Sequence, residues 1–136
     1  MPEKGAGGAC ACSLRVISIN DVYLLDNFPS LNTLIKQERT ANTVTLLAGG
    51  FLAPSLLASL DKGRSMIEIM NLTPISHVCF GNCEAYHGVD ELLSRIKEFK
   101  GVWLNTNMQS FTGATLPTHD VVEVSKDSLG GLGSEV

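Results

Sequence analysis

Ser76-His-Val-Cys-Phe-Gly-Asn-Cys-Glu-Ala-Tyr-His-Gly-Val-Asp-Glu-Leu-Leu93 changes its hydrophobic period halfway along, and that change decides the fold. Residues 76–80 are a short apolar run of strand length that stops at Gly81. From Val89 onward the apolar positions become Val89, Leu92, Leu93, Ile96 and Phe99, the spacing of one helical face. Asp90 and Glu91 fall in the first turn of that helix and Lys97 and Lys100 at its end, the charge order a helix dipole favours. A strand followed by a helix is therefore predicted, joined by the polar link from Gly81 to Gly88.

The same switch recurs on both sides. Leu14 to Ile19 reads as a buried strand, and Phe28, Leu31, Leu34 and Ile35 keep a helical spacing with Pro29 near the start. Thr43 to Ala48 is a second strand ending at Gly49-Gly50. Pro54 suits the first turn of a helix over 55–60, where its missing N–H costs nothing. Gly63 divides that helix from another at Arg64 to Leu72, which puts Met66, Ile69 and Met70 on one side before Pro74 ends it. Val102 to Leu104 is a further strand, and Asp120 to Val124 reads as a fifth with alternating exposure. Strands alternating with helices predict an α/β fold, a mostly parallel sheet with flanking helices. In such sheets chemistry collects at the carboxyl ends of the strands, which selects the loops at 20–23, 49–52, 81–84 and 105–107.

Composition sets the outer bounds. The chain has 136 residues, 44% apolar and 18% charged, enough for one domain with its own core. Ten basic against fourteen acidic residues give a net charge of −4, which argues against a nucleic acid or an anionic membrane as the main partner. No apolar run approaches the ~20 residues that cross a bilayer, and the first residues lack the apolar segment of a secretory signal, so the cytoplasm is the default expectation. Residues 1–13 read as a flexible leader, 14–125 as the domain and 126–136 as a Gly-rich flexible tail. The spacing of Cys10, Cys12, Cys79 and Cys83 departs from zinc-site patterns, so free thiols are expected, with Cys79 buried.

The four selected loops hold Asn20-Asp21, Gly49-Gly50, Gly81-Asn82-Cys83-Glu84 and Asn105-Thr106-Asn107. Oxygen donors converging from separate strand ends can bind a divalent cation. The same residue types also serve as ordinary turn and cap chemistry, and composition alone leaves both readings open.

In order and spacing, these segments resemble the calcineurin-like metallophosphoesterases, and within them the 5′-nucleotidase branch. Leu14 to Tyr23 is similar to the opening strand and loop. Ala48-Gly-Gly-Phe-Leu-Ala-Pro-Ser55 looks like that branch's Gly-Asp-Phe-x-x-Pro-Ser motif. Phe80-Gly-Asn-Cys-Glu84 with Gly88 to Leu92 resembles its Gly-Asn-His-Glu motif and following helix, and Trp103 to Asn107 the next strand. The likeness runs from about Leu14 to Asn107. It implies about the first half of a four-layer α/β/β/α sandwich and a hydrolase that uses two divalent ions (manganese, zinc, cobalt or magnesium) on nucleotides or other phosphate esters.

Carried over position by position, the resemblance implies metal ligands at Asp21 and Asn82 only. Tyr23 stands where the first-motif His is expected, Gly50 replaces the bridging Asp, and Cys83 replaces the His that acts on the leaving group. Glu84 matches an acidic position whose role is structural, and His119 is isolated from any later His motif. Two hard donors cannot hold two dications side by side, so weak or absent hydrolysis by a truncated, divergent relative is expected.

Several other readings follow from the residues. Cys83 with His87 could recruit zinc given further ligands, and Cys83 has no evident His–Asp relay to make it a nucleophile. Tyr23 reads as a packing phenol, and His77 as solvent-exposed or bonded to backbone. Gly49-Gly50 could cradle a phosphate in a nucleotide-binding domain, although no dinucleotide or Walker signature accompanies it. Helices would cover one face of the sheet and leave the other open. Such a face would suit a partner chain, a homo-oligomer or, as the alternative function, a non-catalytic interaction module.

Overall fold

The computed structural model of the chain describes residues 12–126. Cys10, most of the expected leader and all but Lys126 of the expected tail lie outside the described residues. Eight elements follow one another: β1 Arg15–Ile19, α1 Phe28–Glu38, β2 Thr43–Leu47, α2 Leu56–Asp61, α3 Arg64–Leu72, β3 His77–Cys79, α4 Val89–Glu98 and β4 Val102–Leu104. The strands form one four-stranded sheet in the order β1-β2-β3-β4, every neighbouring pair parallel. This is an α/β fold with flanking helices. Each crossover steps to the adjacent strand in one direction, and crossovers of one hand therefore place their helices on one face.

The register separates the two faces. Leu47 pairs with Val78 and Val78 with Trp103, all three buried, and they form the centre of a core with Phe28 of α1, Met66, Ile67 and Met70 of α3 and Leu92 of α4. Each such fully buried side chain contributes roughly 1.5–3 kcal/mol relative to exposure. On the other face Val16 is 53% exposed, Ser18 is exposed, and Leu46, Cys79 and Leu104 are half-buried. Cys79 is thus not the buried thiol expected, because its side chain points away from the helices. That partial burial still raises its pKa, with a smaller push from Glu84.

A cluster of rings around Trp103 supports the carboxyl ends of β2 and β3. Trp103 meets Phe51 at 5.5 Å and Phe80 at 5.4 Å between ring centroids, both tilted, and Phe99 edge-on at 6.3 Å. Phe51 directly follows Gly50 and Phe80 directly precedes Gly81, so burying these rings anchors the two loops that lie above them. Tilted aromatic pairs add about 0.5–1.5 kcal/mol beyond area burial.

Two expected elements differ from the structure. Pro54 does not enter the first turn of α2: it follows a cis Ala53–Pro54 bond, and Ser55 caps the helix by accepting the Ala58 N–H at 3.0 Å. Residues 120–124 form no strand. The segment 117–125 instead runs as an exposed strap tied chiefly by side chains. Asn105 N–H donates to Pro117 C=O at 2.8 Å, Thr106 Oγ1 donates to Thr118 C=O, and His77 Nε2 meets Asp120 Oδ2 at 2.9 Å. Further on, Asn42 takes both the N–H (3.0 Å) and hydroxyl (2.9 Å) of Ser125 on Oδ1 and donates Nδ2 to its carbonyl at 2.7 Å. His77 therefore bonds to a carboxylate and to Ser76 Oγ rather than to solvent or backbone, with its side chain only 11% exposed. Gly63 does divide α2 from α3: Lys62 and Gly63 both take left-handed φ values, 57° and 79°.

Candidate functional site

The four loops do converge. Ala48 N–H donates to Ile19 C=O at 2.8 Å and Asp21 N–H to Gly49 C=O at 3.1 Å, which ties the end of β1 to the end of β2. Gly49 and Gly81 pack backbone to backbone. A Cβ on Gly49 would lie 2.6 Å from Gly81 Cα, so this contact admits glycine alone. Glu84 clasps both loops from below, accepting the Phe51 N–H on Oε1 at 2.9 Å and the Gly81 N–H on Oε2 at 2.5 Å. It is 2% exposed and fully engaged in holding backbone. Asn107 Nδ2 donates to Phe80 C=O at 3.2 Å, and Asn105 Oδ1 accepts the Met108 N–H at 3.0 Å. The two asparagines of the fourth loop thus serve the loops themselves.

Asp21 sits in the left-handed region at φ 54° and is exposed. Its carboxylate accepts the Tyr23 hydroxyl on Oδ1 at 2.9 Å and Asn20 Nδ2 on Oδ2 at 2.7 Å. The Tyr23 phenol is pushed up to about 12, first by that hydrogen bond, then by desolvation and by the negative charge of Asp21, Cys83 and Glu84. Tyr23 is thus not only a packing phenol; it is half-exposed and bonded to Asp21. Gly50 is buried directly beneath the pair. A Cβ there would overlap Asp21 Oδ1 and come 3.1 Å from Tyr23 Oη, and its φ of 71° is one that side-chain-bearing residues rarely adopt.

Asn82 is exposed, and its Oδ1 accepts the Cys83 thiol at 3.3 Å. His87 lies half-buried, edge-on to Tyr86 at 5.1 Å, with Nε2 unpaired among the described residues. His119 bonds to its neighbour Thr118 at 3.1 Å. Among the described residues no three His, Cys, Asp or Glu side chains come together as a metal-binding group, so neither a Cys83/His87 zinc site nor a two-ion centre is assembled from these side chains. A close pair of dications needs a bridging anion and several hard donors. The fit is poor: Gly50 brings no side chain to the cleft, and the space above it is taken by Asp21 and its phenol partner.

Asp21, Tyr23, Gly50, Asn82 and Cys83 all lie on the loops at the strand ends, and the hydrogen bond by which Tyr23 engages Asp21 was not foreseen from the sequence. The structural role expected of Glu84 takes the form of this clasp, whose partners, Phe51 and Gly81, the sequence did not name. No helix among the described residues is long and apolar enough to cross a membrane.

No protein-family model and no curated protein matches the sequence. Solved structures do match. The chain is similar to a Staphylococcus aureus protein assigned as a 5′-nucleotidase and solved with alpha-ketoglutarate, at TM-score 0.57 and 16% identity over 68% of this chain and 22% of that one. It is also similar to the calcineurin-like phosphoesterase YfkN from Bacillus subtilis, at TM-score 0.55 and 21% identity over 68% of this chain and 36% of that one. The chain therefore spans well under half of the structures it matches. At these identities the likeness is one of fold: an α/β unit with a four-stranded parallel sheet that corresponds to part of the metallophosphoesterase structures.

Proposed function

We propose that this chain belongs to a phosphate-ester hydrolase lineage of the 5′-nucleotidase type, whose function is metal-dependent hydrolysis of nucleotides and related esters. In this chain the strand-end cleft is a weak or inactive version of that centre. One observation supports the second half of the reading: at Gly50, the position for which the resemblance implies a bridging carboxylate, the Asp21–Tyr23 hydrogen bond fills the space a side chain would need. Asp21 and Asn82 remain the ligands with which a metal would first be sought. Asp21 accepts the Tyr23 hydroxyl and Asn82 the Cys83 thiol, and among the described residues no group of three His, Cys, Asp or Glu side chains forms around either.

The test is phosphate release from nucleoside monophosphates by the full chain with manganese, zinc, cobalt or magnesium, compared with Asp21→Ala and Asn82→Ala. Release at background, unchanged by either substitution, is expected. Turnover that vanishes in both variants would overturn the inactive reading and support a working metal centre.

A second reading, a non-catalytic interaction module, is favoured by β1, which pairs on one side only among the described residues, and by its Val16 at 53% exposure. An unpaired edge with apolar neighbours is a template for pairing with a second copy. Sedimentation should then show reversible, concentration-dependent association that added metal does not alter. A monomer at every concentration removes this reading.

A further inference from the structure

Beside the cleft lies an open cavity of about 640 Å³ with apolar walls from Val22, Leu24, Phe28 and Leu31 and polar groups from Asp21, Tyr23 and Asn27. No lysine, arginine or histidine is among the described residues that line it. That combination selects by charge. A phosphate or carboxylate entering the cavity would find no positive partner and would face Asp21. A dication would find one carboxylate where it needs several hard donors. A single ammonium group is satisfied by less. Each carboxylate oxygen of Asp21 accepts one hydrogen bond already and keeps a second lone pair for an N–H donor. Ionic hydrogen bonds of that kind are about twice as strong as neutral ones.

We infer that this cavity binds an organic ammonium ion with an apolar body, with the cationic head on Asp21 and the body against Leu24, Phe28 and Leu31. The site shares Asp21 with the phosphoesterase reading but needs neither Asn82 nor a metal, so binding by the metal-free chain tests it separately. Leu24, 62% exposed in the free chain, is the part of the wall with most surface still to bury.

The test is an amide NMR titration of the full chain with hexylammonium, hexanol and hexanoate, three probes of one length that differ in head-group charge. Hexylammonium should shift the amides from Asp21 to Leu24 and bind about tenfold more tightly than hexanol, with hexanoate weakest. Asp21→Asn should bring hexylammonium and hexanol within about twofold of each other, as expected when the charge-assisted hydrogen bond is removed. Asparagine, like aspartate, is among the residues that tolerate left-handed φ, so the variant should keep the fold, which circular dichroism checks. Leu24→Ser should weaken both of these ligands by a similar factor. Equal affinity for hexylammonium and hexanol, retention of the preference in Asp21→Asn, or shifts confined to another surface would overturn the inference. The probe series on the unmodified chain decides this even without the variant. Failure here leaves the phosphoesterase reading standing, whereas phosphate release that Asp21→Ala abolishes would place a metal on the same carboxylate and count against this inference.

Discussion

The Tyr23 hydroxyl reaches Asp21 Oδ1 at 2.9 Å directly above the α-carbon of Gly50, in the volume that a side chain at residue 50 would have to enter. The three residues are matched to one another. Glycine at 50 gives the carboxylate and phenol room, and the pair in turn leaves no room for the carboxylate that the resemblance to metallophosphoesterases implies at this position.

Gly50→Asp should therefore fail as a repair. The new residue would sit at φ 71° and overlap Asp21 Oδ1. A side-chain-bearing residue held in that region costs about 1–3 kcal/mol before any clash. Urea unfolding should show a loss of at least about 2 kcal/mol, and elemental analysis after manganese loading should show no gain in bound metal. A variant as stable as the parent with two metals per chain would contradict this.

Ionisation of Tyr23 offers an independent check on the same contact. Donation to Asp21 stabilises the protonated phenol, and its pKa rises to about 12. A raised pKa means that the associated stability is fully present below the unfolded value, about 10, and is lost as pH climbs through about 12. Following the tyrosine ring carbons by NMR should show Tyr23 titrating near 12, and Asp21→Asn should bring its midpoint down. A Tyr23 midpoint that Asp21→Asn leaves unmoved would show that the hydrogen bond is not the cause.

Much of this was open to sequence reading because hydrophobic period is a local property. The helix at Arg64–Leu72 and the strand at Val102–Leu104 were legible to the residue, since Pro74, Gly63 and the aromatic–aliphatic run around Trp103 mark them within a few positions. The strand-end loops could be located for the same reason, and with them Asp21, Gly50 and Asn82. Contacts between distant residues were not legible. Glu84 clasps Phe51 across 33 positions, and Asn42 holds Ser125 across 83. Residues 120–124 show why pattern misleads. Alternating Val and Glu look like a strand, yet Asp120 and Ser125 are held by side chains at separate points of the sheet and leave the stretch between them exposed.

Glu84 should prove structural under mutation. Removing its carboxylate leaves the N–H groups of Gly81 and Phe51 without acceptors at a buried position. An unsatisfied buried donor costs about 1–3 kcal/mol, so Glu84→Ala should lose roughly 2–5 kcal/mol and Glu84→Gln less, because one carbonyl oxygen survives. Urea unfolding measures both. A Glu84→Ala variant within 0.5 kcal/mol or so of the parent would mean that the two loops are held by Trp103 and its ring neighbours instead.

The strap at 117–125 should respond to acid and to the loss of either anchor. His77 holds the Asp120 carboxyl below its ordinary range, chiefly through their hydrogen bond and then through the Val121 N–H. A depressed carboxylate pKa contributes stability that is present above the unfolded value, about 4, and is lost as pH falls through the lower folded value. Hydrogen exchange, corrected for the intrinsic rate, should therefore show the Val121 amide, which donates to Asp120, better protected near pH 6 than near pH 3. At neutral pH, Asp120→Asn should speed proteolytic cleavage within 117–125. Asn42→Ala should speed it further, at least about tenfold, because it removes three hydrogen bonds worth roughly 0.5–1.5 kcal/mol each from a buried side chain. Opening of the strap is local and would leave the core intact, so global unfolding in urea should change far less than the cleavage rate. If cleavage proceeds equally fast in the parent and both variants, the strap is open most of the time and its anchors hold nothing.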